Sequence, residues 1–431
     1  MRLLSHTYWR GSWVRFREPM AAVEALARCR LVTVNASDGA QSRGLYWTPR
    51  AHPRPRVAVV AAHPRVDFSQ HYLFPHLLRA GYACLGANLR SLNNDVSCVH
   101  EQLLLDLAAH LRWLQAEQGI ERIVWLGNSG GGSLGCFYQQ QAAAAPADRL
   151  THTPAGRPVR LGAEDMPAFS AMLVLAAHTG QGAVLMETID PAVIDEADPL
   201  RSDSALDMYD PANGFRPAPQ WSRYAPDFVR RYRQAQRERV ARLDAIAHAH
   251  LARQGEAERM RGGPAFAAQP EAARRAIERQ VAFQPVMTVY RTLANLHYTD
   301  NSLDPSPRGY GSLLSDRPDL MNLQLMGFGR LQTPDAWLST WSGLSSRANI
   351  LLTGPAVRIP CAVVHAGRDL DVFPQTHSQA IFRALGSSDK QFFDFPSRLH
   401  YFEPEGDEDE YQGVQDLADA LLPWLQARVP A

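Results

Sequence analysis

The pentapeptide Gly127-Asn128-Ser129-Gly130-Gly131 constrains this chain more than any other feature, because of what flanks it. Before it runs Glu121-Arg122-Ile123-Val124-Trp125-Leu126, a short apolar stretch with polar ends that reads as a buried strand. After it, Gly132 to Tyr138 and a Gln/Ala run read as a helix. A serine at the apex of so sharp a strand-to-helix turn is strained. A Cβ at Gly127 or Gly131 would strike the neighbouring strand or helix. The helix that follows aims its first N–H groups at the serine, where they can meet negative charge.

The same strand–helix rhythm runs along much of the chain. Leu31–Val34 and Gly44–Trp47, flanking Ser37-Asp38-Gly39, predict a hairpin. Val57–Ala62 and Tyr82–Ala87 read as strands, with a helical stretch between them at Tyr72–Leu78. Leu103, Leu107, Leu111 and Leu114 line one face of a helix over Val99–Glu117. Met172–Ala177, Cys361–Val364 and Gln391–Phe395 complete the strands. A helix falls near Gln379–Leu385, and a last one, from Tyr411 to Leu422, should end or kink at Pro423. Strands alternating with helices imply βαβ units and a parallel sheet covered on both faces, an α/β fold. The alternation breaks between about His178 and Ile350, too long for a loop. This stretch holds an acidic opening (Glu187–Asp210), an arginine-rich helix over Pro226–Gln254 and a second helix starting near Pro270 as its first residue. It reads as a mainly helical cap, giving a division into 1–177, 178–350 and 351–431.

Composition excludes more than it selects. The 431 residues balance 44 acidic against 44 basic side chains, so charge offers no pull toward nucleic acid or a membrane surface. The five cysteines are odd in number and scattered, which argues for reduced thiols and against a disulfide framework or a metal site. Met1–Arg30 lacks the apolar core of a leader, and no apolar run is long enough to span a bilayer. The expectation is a cytoplasmic protein.

A serine hydroxyl needs a base, and the base needs a third group to hold its tautomer. In this topology the partners should follow in the order serine, acid, histidine, in loops after strands. Asp369 stands after the strand at Cys361–His365, and His400 after the strand ending at Phe395. Asp371 is the alternative acid; its other job would be capping the next helix. His63 reads as a loop brace and His178 as a structural histidine. Asn93-Asn94-Asp95 suits turn chemistry as well as substrate contact. The arginines at 230, 231, 233, 237, 239 and 242 read as a solvated face, with Val229, Tyr232, Val240 and Leu243 as the helix's apolar stripe.

With these residues the chain resembles the α/β-hydrolase superfamily over 31–177 and 355–427. The loop at Asp369 resembles the family's acid loop, and Leu399-His400-Tyr401-Phe402 its histidine loop. The resemblance implies an eight-stranded sheet with Ser129, Asp369 and His400 meeting above it. It also implies an oxyanion hole made by the Gly130 N–H and a donor after the strand Val57–Ala62. There the family usually shows His-Gly and this chain has His63-Pro64-Arg65, which moves the donor to the Arg65 N–H because proline has none. The expected activity is hydrolysis of a small-molecule carboxylic ester through an acyl-enzyme on Ser129, without cofactor or metal. Thioesterase, amidase, C–C bond hydrolase or acyltransferase chemistry would use the same triad, and an inactive binding protein the same scaffold. Phe266, Phe283, Tyr290, Met326, Phe328 and Trp337 are cap residues able to line a pocket or to pack the cap itself.

Overall fold

The computed structural model describes residues 14–431; the first 13, part of the stretch read for a leader, lie outside it. After a short helix α1 (Met20–Leu26), β1 (Ala27–Asn35) and β2 (Gln41–Pro49) form the hairpin. Pairing extends it beyond the apolar runs, from Ala27 opposite Pro49 to Asn35 opposite Gln41. Gly39 closes the turn at φ 85°, a left-handed conformation open to glycine at little cost. Then come β3 (Val57–Ala62), α2 (Phe74–Arg79), β4 (Ala83–Asn88), α3 (His100–Gln118), β5 (Arg122–Asn128), α4 (Gly130–Ala143) and β6 (Ala171–Leu175). An insertion follows, carrying α5 (Gln181–Thr188), α6 (Pro226–Gly262), α7 (Glu271–Ala282) and a two-stranded ribbon, β7 (Met287–Thr288) with β8 (Leu331–Gln332). The chain then returns to the sheet as β9 (Cys361–Ala366) and β10 (Lys390–Phe395), and ends with the helix Gln412–Arg428.

The main sheet has eight strands in the order β1-β2-β4-β3-β5-β6-β9-β10. Pairings β1–β2 and β2–β4 are antiparallel and the rest parallel. β3 shows why its sequence is apolar throughout. Ala58, Val60 and Ala62 face a core packed by Leu103, Leu107 and Leu111 of α3 and Phe137 of α4, whereas Val57, Val59 and Ala61 face Leu77 of α2 and Leu417 and Leu421 of the C-terminal helix. Successive strand side chains point to opposite faces, so a strand covered on both sides has no polar position. Packing also overrides Pro423. The C-terminal helix continues through it to Arg428, since Leu417, Leu421 and Leu425 are buried on one side and repay one missing N–H bond.

Three readings of the insertion change. α6 runs on to Gly262, and Pro270 precedes α7 instead of opening it. Nor is the arginine face wholly solvated. Arg230, Arg231 and Arg237 are exposed, but Arg239 is 1% exposed and bonds both oxygens of Glu196, which also accepts from Arg242. Arg233 donates to the Glu187 carbonyl. The acidic opening supplies the counter-charge for the helix. Tyr232, Val240 and Leu243 are buried as the apolar stripe requires. Among the described residues no helix is long and apolar enough to cross a membrane.

Candidate active site

The serine turn is built by close approach. Ser129 adopts φ 54°, ψ −125°, outside the regions ordinary residues populate, and α4 begins at the next residue. A Cβ on Gly127 would lie 2.6 Å from Trp125 Nε1 and 2.8 Å from the Gly131 carbonyl, and one on Gly131 would lie 2.5 Å from the Ala62 carbonyl of β3. Asn128 braces the turn from below: its Oδ1 accepts from Tyr72 OH at 2.9 Å and its Nδ2 donates to the Leu175 carbonyl at 3.1 Å. Ser129 N–H donates to the same carbonyl at 3.0 Å. Because the Gly131 neighbour is backbone, Gly131→Ala should lower stability by about 1–3 kcal/mol. A fall in the urea unfolding midpoint checks this, and an unchanged midpoint would contradict the crowding.

Asp369 follows β9 and His400 follows β10, and both are nearly fully buried. Asp369 Oδ2 lies 2.5 Å from His400 Nδ1. Its Oδ1 accepts from the Asp371 N–H at 2.9 Å and the Val372 N–H at 3.0 Å. Burial opposes charge on this carboxyl, yet the imidazole and the two amides outweigh it and hold its pKa below the usual value. Burial likewise presses the His400 pKa down, and the Asp369 charge and hydrogen bond lift it above 6.5. Asp371 makes no such bond to His400. Burial, then the Asp369 charge, push it up to about 6. It does not cap the following helical turn either. That turn's N–H groups, from Gln375 and Thr376, donate to Asp304 of the insertion.

Ser129, His400 and Asp371 line one cavity of about 200 Å³. His400 Nε2 is buried, with no hydrogen-bond partner among the described residues. The walls are largely apolar: Val66, Val184, Leu313, Leu314, Phe328 and Trp341. Of the six expected cap residues only Phe328 is among them. Phe283 and Tyr290 are exposed, Phe266 is half-buried, Trp337 packs the insertion's own core, and Met326 packs beside Leu314 and Phe373. His178, expected to be structural, lines the cavity; burial, then neighbouring His377 and His400, lower its pKa to about 3. Asn93 also lines it, while Asp95 pairs with Arg65.

The loop after β3 corrects one expectation. The Arg65 N–H donates to His63 Nδ1 at 3.0 Å, and so does the Val66 N–H, also at 3.0 Å. The imidazole has claimed the amide expected to face the serine. His63 is thus the loop brace it was read as, but it also lines the cavity, on the side of Gly130. Gln181, absent from the sequence reading, is the second such residue. A Cβ on Gly130 would sit 2.4 Å from Gln181 Nε2 and 2.8 Å from His63 Nε2. The one sequence signal for Gln181 was its place directly after Gly180, past the end of β6.

An eight-stranded, mostly parallel sheet with a strained serine between β5 and α4, and an Asp–His pair after its last two strands, decides the fold. The chain has the α/β-hydrolase fold. No family model matches it, and no curated protein matches it in sequence. Among solved structures it is similar to DcsB, seen in complex with its substrate analogue, at 11% identity and a TM-score of 0.49, covering 94% of this chain and 100% of that one. It is similar to the α/β hydrolase GrgF from Penicillium sp. sh18 at 10% identity and 0.48, covering 93% and 99%. The Pyrococcus furiosus esterase Pf2001 follows at 11% and 0.45, covering 95% and 94%. On the α/β-hydrolase scaffold this chain's own side chains must carry the functional argument.

Proposed function

We propose that this protein is a serine hydrolase that cleaves a carboxylic ester through an acyl-enzyme on Ser129. The observation that carries the reading is His400, held at Nδ1 by Asp369 at 2.5 Å while its buried Nε2 has no partner among the described residues and stands beside the cavity that Ser129 lines. Ser129 Oγ attacks the carbonyl carbon and His400 Nε2 takes its proton. The leaving group receives that proton as the tetrahedral intermediate collapses. Water then repeats the two steps on the acyl-enzyme, with Asp369 fixing the tautomer throughout. The Gly130 N–H at the start of α4 supports the developing oxyanion. A cavity of about 200 Å³ with mostly apolar walls suits a short acyl group or a small alcohol.

A fluorophosphonate should label the wild-type protein once per chain, and Ser129→Ala should abolish the labelling. An unlabelled wild type would leave a binding protein. Faster turnover of matched thioesters or amides than of p-nitrophenyl esters would replace the ester in this reading.

A further inference from the structure

We infer that the second oxyanion donor is a side chain, the Nε2–H of His63, standing in for the backbone amide of Arg65. The inference rests on the serine-hydrolase reading above and names a catalytic residue for it. Three observations converge. The Arg65 amide is engaged by the His63 ring and cannot also face the serine in this arrangement. His63 Nδ1 accepts two backbone N–H groups, so this nitrogen is unprotonated and the neutral ring carries its proton on Nε2. That nitrogen lies against Gly130, the residue whose amide forms the other half of the hole, and the ring lines the cavity that holds Ser129.

The environment keeps the group a neutral donor. Burial, followed by the positive charge of Arg65 and the neighbouring His178, His400 and His100, holds the His63 pKa well below 6.5. The ring therefore does not compete with His400 for the serine proton. Tilted contact with Phe68, ring centroids 5.4 Å apart, fixes its plane. Pro64 fits the same design. The loop has no N–H at that position, and its Pro64 carbonyl is tied by Ser91 Oγ at 2.5 Å. On the same side of Gly130, Gln181 Nε2 is buried with no partner among the described residues.

In the attack step the Ser129 Oγ–carbon bond forms and the carbonyl π pair moves onto oxygen. His63 Nε2–H and Gly130 N–H share that charge. When the leaving group departs, the pair returns to re-form the carbonyl, and His63 has neither gained nor lost a proton.

The test separates the distal donor from the loop brace. Asparagine at 63 keeps an acceptor near the Nδ1 position and lacks the distal N–H; glutamine places an amide N–H near the Nε2 position. With a short p-nitrophenyl ester, His63→Asn should lower kcat by about 10²–10³-fold with KM changed less than about threefold. A trifluoromethyl ketone, which forms an oxyanion on the serine, should bind His63→Asn weaker by a similar factor. His63→Gln should recover at least about tenfold of kcat. Neutral His63 has no titration to contribute between pH 6 and 9, so the loss should be the same across that range. If His63→Asn retains kcat within about fivefold, or both variants lose activity equally along with thermal stability, His63 is a brace only. Those outcomes would leave the serine-hydrolase reading intact, which fails instead if Ser129→Ala remains active.

Discussion

Asp369→Asn should reduce kcat by about 10⁴-fold, the loss seen when a triad carboxylate becomes an amide and the histidine takes the wrong tautomer. Asp371→Asn, two residues on, should cost less than the roughly 10²-fold that loss of a general base brings. The geometry sets the difference: only Asp369 bonds the imidazole, and its other oxygen is held by two backbone amides that the substitution leaves facing an amide group. The pH profile supplies an independent reading. The base must be neutral, so the rate falls as pH drops through the His400 pKa, which burial lowers and Asp369 raises to a net position above 6.5. Removing the Asp369 charge takes away the largest influence opposing burial and leaves only the lesser charges of Glu403 and Asp371. The acid limb of the residual activity should then move to lower pH, the opposite of what general damage to the site would give. A loss that tracked Asp371, or a limb that stayed in place, would reassign the acid.

The residues proposed to react were readable because the chemistry proposed for them forces their context. A strained serine needs glycine neighbours and a strand-to-helix turn; an acid and a histidine that reach it must sit in loops past strands of the same sheet. Those constraints are local, and the sequence displays them at 127–131, 369 and 400. What surrounds them depends on partners far along the chain. Whether Arg239 is solvated turns on Glu196, 43 residues away; whether the Arg65 amide faces the serine turns on the rotamer of His63, close in sequence but set by the packing around it. Composition likewise could not say which aromatic side chains of the insertion face the cavity. Phe328 and Phe283 look alike as residues, and only the first is brought to Ser129. Pro423 failed as a stop signal for the same reason, because long-range burial outweighed a local rule.

The insertion is held together internally by a buried ion pair between Asp190 and Arg291, and breaking it should cause a large loss of stability. Asp190, just past α5, is fully buried. Its Oδ2 accepts from Arg291 Nη2 at 2.7 Å, Arg291 Nε at 2.9 Å and Asn322 Nδ2 at 2.8 Å, and its Oδ1 from the Ala192 N–H at 3.0 Å. Arg291 sits at φ 56°, a backbone conformation that needs outside support, and the Asp190 N–H bonds the Arg291 carbonyl. Asp190→Ala leaves a buried guanidinium without its counter-charge, at an expected cost of about 3–5 kcal/mol. The paired change Asp190→Ala with Arg291→Met should recover much of that, since a buried charge is then no longer stranded. Thermal unfolding would rank the three proteins, and limited proteolysis would show where the single variant opens. Cleavage should concentrate between 189 and 330 and spare the eight-stranded sheet. Since α5 carries Gln181 and Val184 into the cavity, the proposed ester hydrolysis should fall in parallel with this loosening. A single variant as stable as wild type would mean that the Pro199 carbonyl and Ser202 Oγ satisfy Arg291 without the carboxylate, and that α5 is held by its apolar contacts with Trp337 and Trp341 instead.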